Sequence, residues 1–196
     1  MPRSGSTLLF NMLRLILKRK WPRLSSGWCD DIASLPAGDA FLIKTHALGR
    51  FYQWRARNSF YTYRDVRVAA VSNFRKFGHM PSVADIRGMI HQYLIAKESC
   101  DLIFSYEDLT GRTAKVVSSL SETLATPVQA ECIVEEVLGL AAISTSEGYS
   151  KDTLLHEGHR TGTKDDDWRE VLPAGLIAEV NSDFGWWFAE CGYAQA

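Results

Sequence analysis

Hydrophobic and polar positions along this chain follow two different periods, and the switches between them predict an α/β order of elements. From Ser6 to Lys20 the pattern is that of an amphipathic helix, with Asn11 and Arg14 interrupting the apolar residues before Lys18, Arg19 and Lys20. Short apolar runs at 41–45, 60–63 and 102–106 read as buried strands. A helical run carrying Val68, Val71 and Ser72 follows the second strand. Between 83 and 96, Ile86, Met89, Ile90, Tyr93 and Leu94 fall at helical spacing, and 116–124 and 133–140 repeat the signal. Near the C-terminus Leu176, Val180, Phe184, Trp187, Phe188 and Cys191 recur every three or four residues, so Trp186 and Trp187 are read as packing residues rather than stacking platforms. The stretch 144–167 is rich in Ser, Thr, Gly, His and Asp with little apolar periodicity, which predicts a surface loop of lid-like length.

Composition narrows the class. A chain of 196 residues with 46% hydrophobic content can bury a core as one domain, 1–196. A net charge of −1 argues against a nucleic-acid or acidic-membrane partner recognised through bulk charge, so any bound anion must be held by local arginines. Cys29, Cys100, Cys132 and Cys191 are scattered without C-x-x-C pairing, which fits reduced thiols better than disulfides or a zinc site. No apolar run reaches the length of a membrane span, and the expectation is a cytoplasmic protein.

The candidate chemistry begins at the N-terminus. Residues Pro2 to Arg14 run from small residues straight into the first helix. Gly5, Ser6 and Thr7 can turn successive backbone N–H groups toward one point, where the helix also presents its positive end. Arg3 and the hydroxyls of Ser4, Ser6 and Thr7 would add hydrogen bonds to the same anion. The loop lacks the Gly-Lys-Ser/Thr of a nucleoside-triphosphate loop, and an ordinary serine-capped helix is the competing reading. Two strand ends add weight. Lys44 and His46 fall at the C-terminal end of the first strand, where open α/β sheets bind ligands. Arg64 and Ser72, one at the end of the second strand and one two helical turns on, are placed to converge on a second anion.

Taken in order, Pro2-Arg-Ser-Gly-Ser-Thr7, Lys44-Thr-His46, Arg64 with Ser72, Tyr106-Glu-Asp108 and Arg160-Thr-Gly162 resemble the motifs of the PAPS-dependent sulfotransferases, over nearly the whole chain. The resemblance implies a P-loop NTPase-like fold, a three-layer parallel sheet flanked by helices. It implies that Arg3, Ser4, Gly5, Ser6 and Thr7 hold the 5′-phosphosulfate of PAPS and that Arg64 and Ser72 hold the 3′-phosphate. Tyr106 would lie near the 3′-phosphate ribose. Arg160, Thr161 and Gly162 would close over that phosphate, with threonine where lysine is usual. His46 would act as catalytic base, with Arg3 and Lys44 stabilising the oxygen that leaves with PAP; no metal is required. The acceptor is a small molecule or glycan offering a hydroxyl or amine, and neither its identity nor the oligomeric state has a sequence signature.

Two departures qualify the resemblance. Only Met1 precedes Pro2, so there is no sequence for the buried strand from which that loop normally emerges. A sheet lacking this first strand would forgo several apolar side chains worth ~1.5–3 kcal/mol each, predicting a fragile protein. Leu8 stands where many cytosolic members carry a tryptophan against adenine. Two alternatives follow: a truncated, non-catalytic nucleotide-binding remnant, and an ATP-dependent P-loop-like kinase. The kinase is disfavoured by the absent lysine and by Arg64 with Ser72, which suit a 3′-phosphate that ATP lacks.

Overall fold

The computed structural model describes residues 1–48, 56–140, 149–156 and 168–194. The first helix, α1 (Ser6–Lys20), begins at Gly5 in the left-handed region and ends in Lys18, Arg19 and Lys20, which complement the negative end of its dipole. Leu9, Met12, Leu13 and Ile16 are buried along it. Asn11 and Arg14 are buried too, because Asn11 Nδ2 donates to Thr7 O and Thr153 O while Arg14 Nε donates to Asn11 Oδ1. The polar interruptions in the apolar pattern are therefore internal ties and not exposed positions.

Strand β1 (Leu24–Trp28) pairs in parallel with β2 (Ala40–Lys44), from Leu24 opposite Ala40 to Trp28 opposite Lys44. A 3₁₀ turn at Cys29–Ser34 separates them. The sequence offered no sign of β1, since Ser25, Ser26 and Gly27 carry little strand preference and only the partner strand makes this segment extended. Strand β3 (Phe60–Tyr63) pairs in parallel with β4 (Leu102–Ser105) across two helices, α2 (Val66–Phe77) and α3 (Val83–Ser99). A parallel pair needs such a crossover. Asp65 caps α2 by accepting from Arg67 N, and Ser82 with Asp85 forms a capping box on α3.

Tyr106, Glu107 and Asp108 open a short helix, α4 (Tyr106–Gly111), capped by the Ser105 side chain. Helices α5 (Thr113–Thr123), α6 (Ala130–Leu138), α7 (Trp168–Val171) and α8 (Ala174–Cys191) complete the described fold. None of the described helices is long and apolar enough to cross a membrane.

Alternation along the strands distributes the core. Phe60, Leu42, Leu102 and Phe104 face the cluster built by α1, α5 and α6 around Met12, Ile16, Val117, Leu120 and Ile133. Tyr61, Tyr63 and Ile103 face the opposite cluster, where α2, α3 and α8 bury Val66, Ile86, Ile90, Val180, Trp187 and Phe188. Helices thus pack against both faces of the described strands. The expected single sheet is not seen among the described residues, which form two separate two-stranded parallel ladders. A cavity of about 90 Å³ lies between them, lined by Leu42, Ile43, Phe60 and Tyr61 from the strands and by Leu9 and Leu13 from α1. The Met1 amino group donates to Thr62 O beside it at 3.3 Å, and burial lowers its pKa to about 4.

The reading of both C-terminal tryptophans as packing residues holds for one. Trp187 is fully buried, edge-on to Tyr93 and Phe188, whereas Trp186 is 48% exposed. At 100° per residue, the buried arc of the helix takes in Trp187 and Phe188 and leaves Trp186 outside it.

Candidate functional site

Arg3 (φ 61°) and Gly5 (φ 82°) both adopt left-handed backbone, and together they wrap the chain around Ser4 into the start of α1. Such a turn is the backbone nest that accepts anions. Glycine is required at position 5: a Cβ there would stand 2.9 Å from Leu109 Cδ1 and 3.1 Å from Tyr106 Cδ2, on a backbone that side chains rarely adopt. Ser4 Oγ is buried, 2.6 Å from Met1 O, 2.9 Å from Thr62 O and 2.6 Å from Thr62 Oγ1. Its hydroxyl therefore anchors the loop to β3. Ser6 is half-buried at the cavity between the ladders. Thr7 is buried, and its Oγ1 accepts a hydrogen bond from Lys44 Nζ.

The strand ends bring cations to this loop. Arg3 Nε donates to Ser72 Oγ at 2.9 Å, joining the loop to α2. Arg64, leaving β3, is buried with its guanidinium 4.0 Å from the Tyr106 ring centroid. Burial and the nearby charge of Arg64 push the Arg3 pKa below the ordinary arginine range, with Tyr106 acting the other way. Lys44 falls further, to about 7, through burial and then the charges of Lys76 and Arg3. Burial and Arg3 likewise lower Lys76. His156 is lowered by burial and by Lys76, Arg3 and Lys44, and its Nε2 lies 2.7 Å from Lys76 Nζ. The structure thus places Arg3, Lys44, Arg64 and Ser72 around one loop. Lys76 and His156 were missed. Lys76 had a visible signal, lying one helical turn beyond Ser72 on the same face of α2; His156 had none, because a turn distant in sequence delivers it.

Lys44 and His46 also line a second, open cavity of about 420 Å³, together with Trp28, Asp30, Asp31, Tyr149, Leu154 and His156. The His46 ring stands edge-on to Trp28 with centroids 5.0 Å apart, and Lys44 Nζ lies 5.7 Å from the Trp28 centroid. A basic nitrogen and a cation whose charge is easily shifted therefore share one chamber. Tyr106 sits at the start of α4, on the Arg64 side of the loop. Leu8 is half-buried and packs into the cluster of α1, α5 and α6. Arg160, Thr161 and Gly162 lie outside the described residues, as do Arg50, Phe51, Tyr52, Trp54 and Arg55. Among the described residues no group of three or more His, Cys, Asp or Glu side chains could hold a metal ion.

No protein-family model matches this chain, and no curated protein sequence does. Among solved structures it is similar to a mouse sulfotransferase, SULT7A1, complexed with PAP, with a TM-score of 0.61 and 14% sequence identity. The likeness covers 98% of this chain and 86% of that one. At that identity it speaks to the fold: a mixed α/β architecture with small parallel sheets, similar to that of a sulfotransferase.

Proposed function

We propose that this chain transfers the sulfuryl group of PAPS to the hydroxyl or amine of an acceptor and releases PAP. The observation that carries the reading is the gathering of Arg3, Lys44, Arg64, Lys76 and His156 around a left-handed loop at a helix N-terminus, with Arg3 bonded to Ser72, Lys44 to Thr7 and Lys76 beside His156. Cations gathered in this way are stabilised by a polyanion, and a nucleotide with phosphates at both ends supplies one. The loop N–H groups and Arg3 bind the 5′ end; Arg64 and Ser72, with the ring of Tyr106 beneath the guanidinium, bind the 3′-phosphate. The fold likeness to a PAP-bound sulfotransferase supports the choice of nucleotide.

PAPS supplies an activated sulfuryl group, whose bond to the phosphate oxygen breaks as a new S–O or S–N bond forms to the acceptor. His46 takes the acceptor's proton, a contribution of about 10²–10⁴-fold. Arg3, Lys44 and the loop amides stabilise the negative charge gathering on the leaving oxygen, and an anion at Lys44 restores the proton that its surroundings make easy to lose. Positioning and charge stabilisation dominate, as in phosphoryl transfer. Four free thiols suit a reducing, cytoplasmic setting.

We also propose that the cavity between β2 and β3 is where a sulfotransferase-like sheet would carry a further strand. Among the described residues each of these strands is paired on one side only, and the cavity takes its walls from both. That opening favours a second reading, a nucleotide-binding remnant without turnover. A thermal-shift titration with PAP, against ATP and 5′-AMP, tests the first claim: a PAP-selective rise is expected, and an ATP-selective rise or none in a folded sample overturns it. Product formation with acceptors, lost in His46→Ala, separates the enzyme from the remnant.

A further inference from the structure

The chamber that holds Lys44 and His46 is electrically polarised. Lys44 and His156 stand at one end, in the field of Lys76 and Arg3. The other end is acidic: Asp30 and Asp31 project from the 3₁₀ turn that follows β1. Trp28 divides the two, with Lys44 over its ring and its Nε1–H donated to Asp30 Oδ2 at 3.1 Å. Tyr149 closes the acidic end by donating its hydroxyl to Asp31 Oδ2 at 2.7 Å. The charges of both carboxylates reach Tyr149, whose pKa is raised by the Asp31 hydrogen bond, burial and the Coulomb fields of Asp31 and Asp30.

None of the ion pairs among the described residues involves Asp30 or Asp31. Each carboxylate offers about four lone-pair sites, of which Trp28 and the Cys29 thiol on Asp30 and Tyr149 on Asp31 occupy a minority. The hydrogen bonds from Trp28 and Tyr149 fix the carboxylates in direction without neutralising them. A volume of about 420 Å³ is that of a small-molecule site.

We infer that this chamber selects an acceptor bearing a positively charged amine, with its reacting hydroxyl or second nitrogen turned toward His46 and its ammonium toward Asp30 and Asp31. As a statement about the acceptor this rests on the sulfotransferase reading; as a statement about binding it stands on the chamber alone. The two ends divide the work: the cationic end meets the anionic donor, and the acidic end both attracts a cationic acceptor and repels an anionic one. Asp30 and Asp31 act as specificity residues and do not touch the reacting atoms.

The test uses three phenols matched in size: tyramine (cationic), 4-ethylphenol (neutral) and 3-(4-hydroxyphenyl)propionate (anionic). Their binding to the full chain is measured by calorimetry, with and without PAP. Tyramine is expected to bind roughly five- to tenfold more tightly than 4-ethylphenol, and the propionate more weakly than either, the size of one partly exposed charge pair in a cleft. In Asp30→Asn/Asp31→Asn, where the amide oxygens still accept from Trp28 and Tyr149, tyramine should fall to the level of 4-ethylphenol while 4-ethylphenol is unchanged. Equal binding of the three, a preference for the propionate, or a tyramine preference that survives the double variant overturns the inference. PAP binding without charge preference rejects this inference and keeps the sulfotransferase reading. A charge preference abolished by the variant, without PAP binding, does the reverse.

Discussion

Two arginines, the half-buried Arg3 and the buried Arg67, meet the same helix and are held in different ways. Arg67 is 1% exposed and enclosed: its Nη2 bonds Asp65 Oδ2 at 2.6 Å and the Ala194 carbonyl at 2.7 Å, and its Nη1 bonds Asn181 Oδ1 at 3.1 Å. Its guanidinium also lies 4.0 Å from the ring centroids of both Trp168 and Phe188. Arg3, by contrast, donates to the neutral hydroxyl of Ser72, and after burial the largest effect on its charge comes from Arg64. Arg67 is closed in by a carboxylate, a side-chain amide and a backbone carbonyl, whereas Arg3 stands half-buried at the loop, bonded to Ser72 and in the field of Arg64. Arg67 is therefore read as structure and Arg3 as site, although the sequence presents both as an arginine among small or apolar residues.

The comparison is broken most directly at Arg67. Arg67→Ala should lower stability by ~3–5 kcal/mol, because it strands Asp65 and opens the contact between α2 and α8. Chemical denaturation checks it, and a loss below about 1 kcal/mol would remove Arg67 from the framework. Arg3→Ala should do the opposite: stability equal to or above that of the parent, with PAP binding weakened by ~1.5–3 kcal/mol, roughly 10–150-fold, by calorimetry. Equal loss of stability in both variants would erase the distinction.

Gly5→Ala sharpens it further. The left-handed backbone and the Leu109 and Tyr106 contacts should cost ~1–2 kcal/mol or more and weaken PAP binding, whereas Gly88→Ala, which meets nothing within 4 Å in the middle of α3, should be neutral or stabilising. A further effect is on pH. Lys44 has a folded pKa of about 7 against an ordinary 10.5, so above about 7 the unfolded chain holds a proton that the folded chain has released. Stability of the unliganded protein should accordingly rise from pH 7 toward 10 by at most ~1.4 kcal/mol per unit from this group. Nucleotide binding should show the reverse slope, weakening above pH 7 with proton uptake that calorimetry in buffers of different ionisation heat detects. Lys44→Arg should flatten both slopes.

Local chemistry made much of this protein legible in its sequence. The span of α1, the strand at 60–63 and the stripes of α3 and α8 follow from periodicity and run length, which act within a few residues. The loop of Arg3 to Thr7 was legible because small residues before a helix leave few other uses for their amides. Three matters were decided only by tertiary structure. Strand β1 has no local preference and exists through its ladder with β2. Lys76 and His156 join the cation cluster because a helix and a distant turn meet there. Asp30, Asp31 and Tyr149 form one wall only when residues more than a hundred positions apart are brought to 2.7 Å. Periodicity reports which face of an element is buried; which charges end up sharing that burial depends on long-range Coulomb and packing terms that no short window of sequence contains.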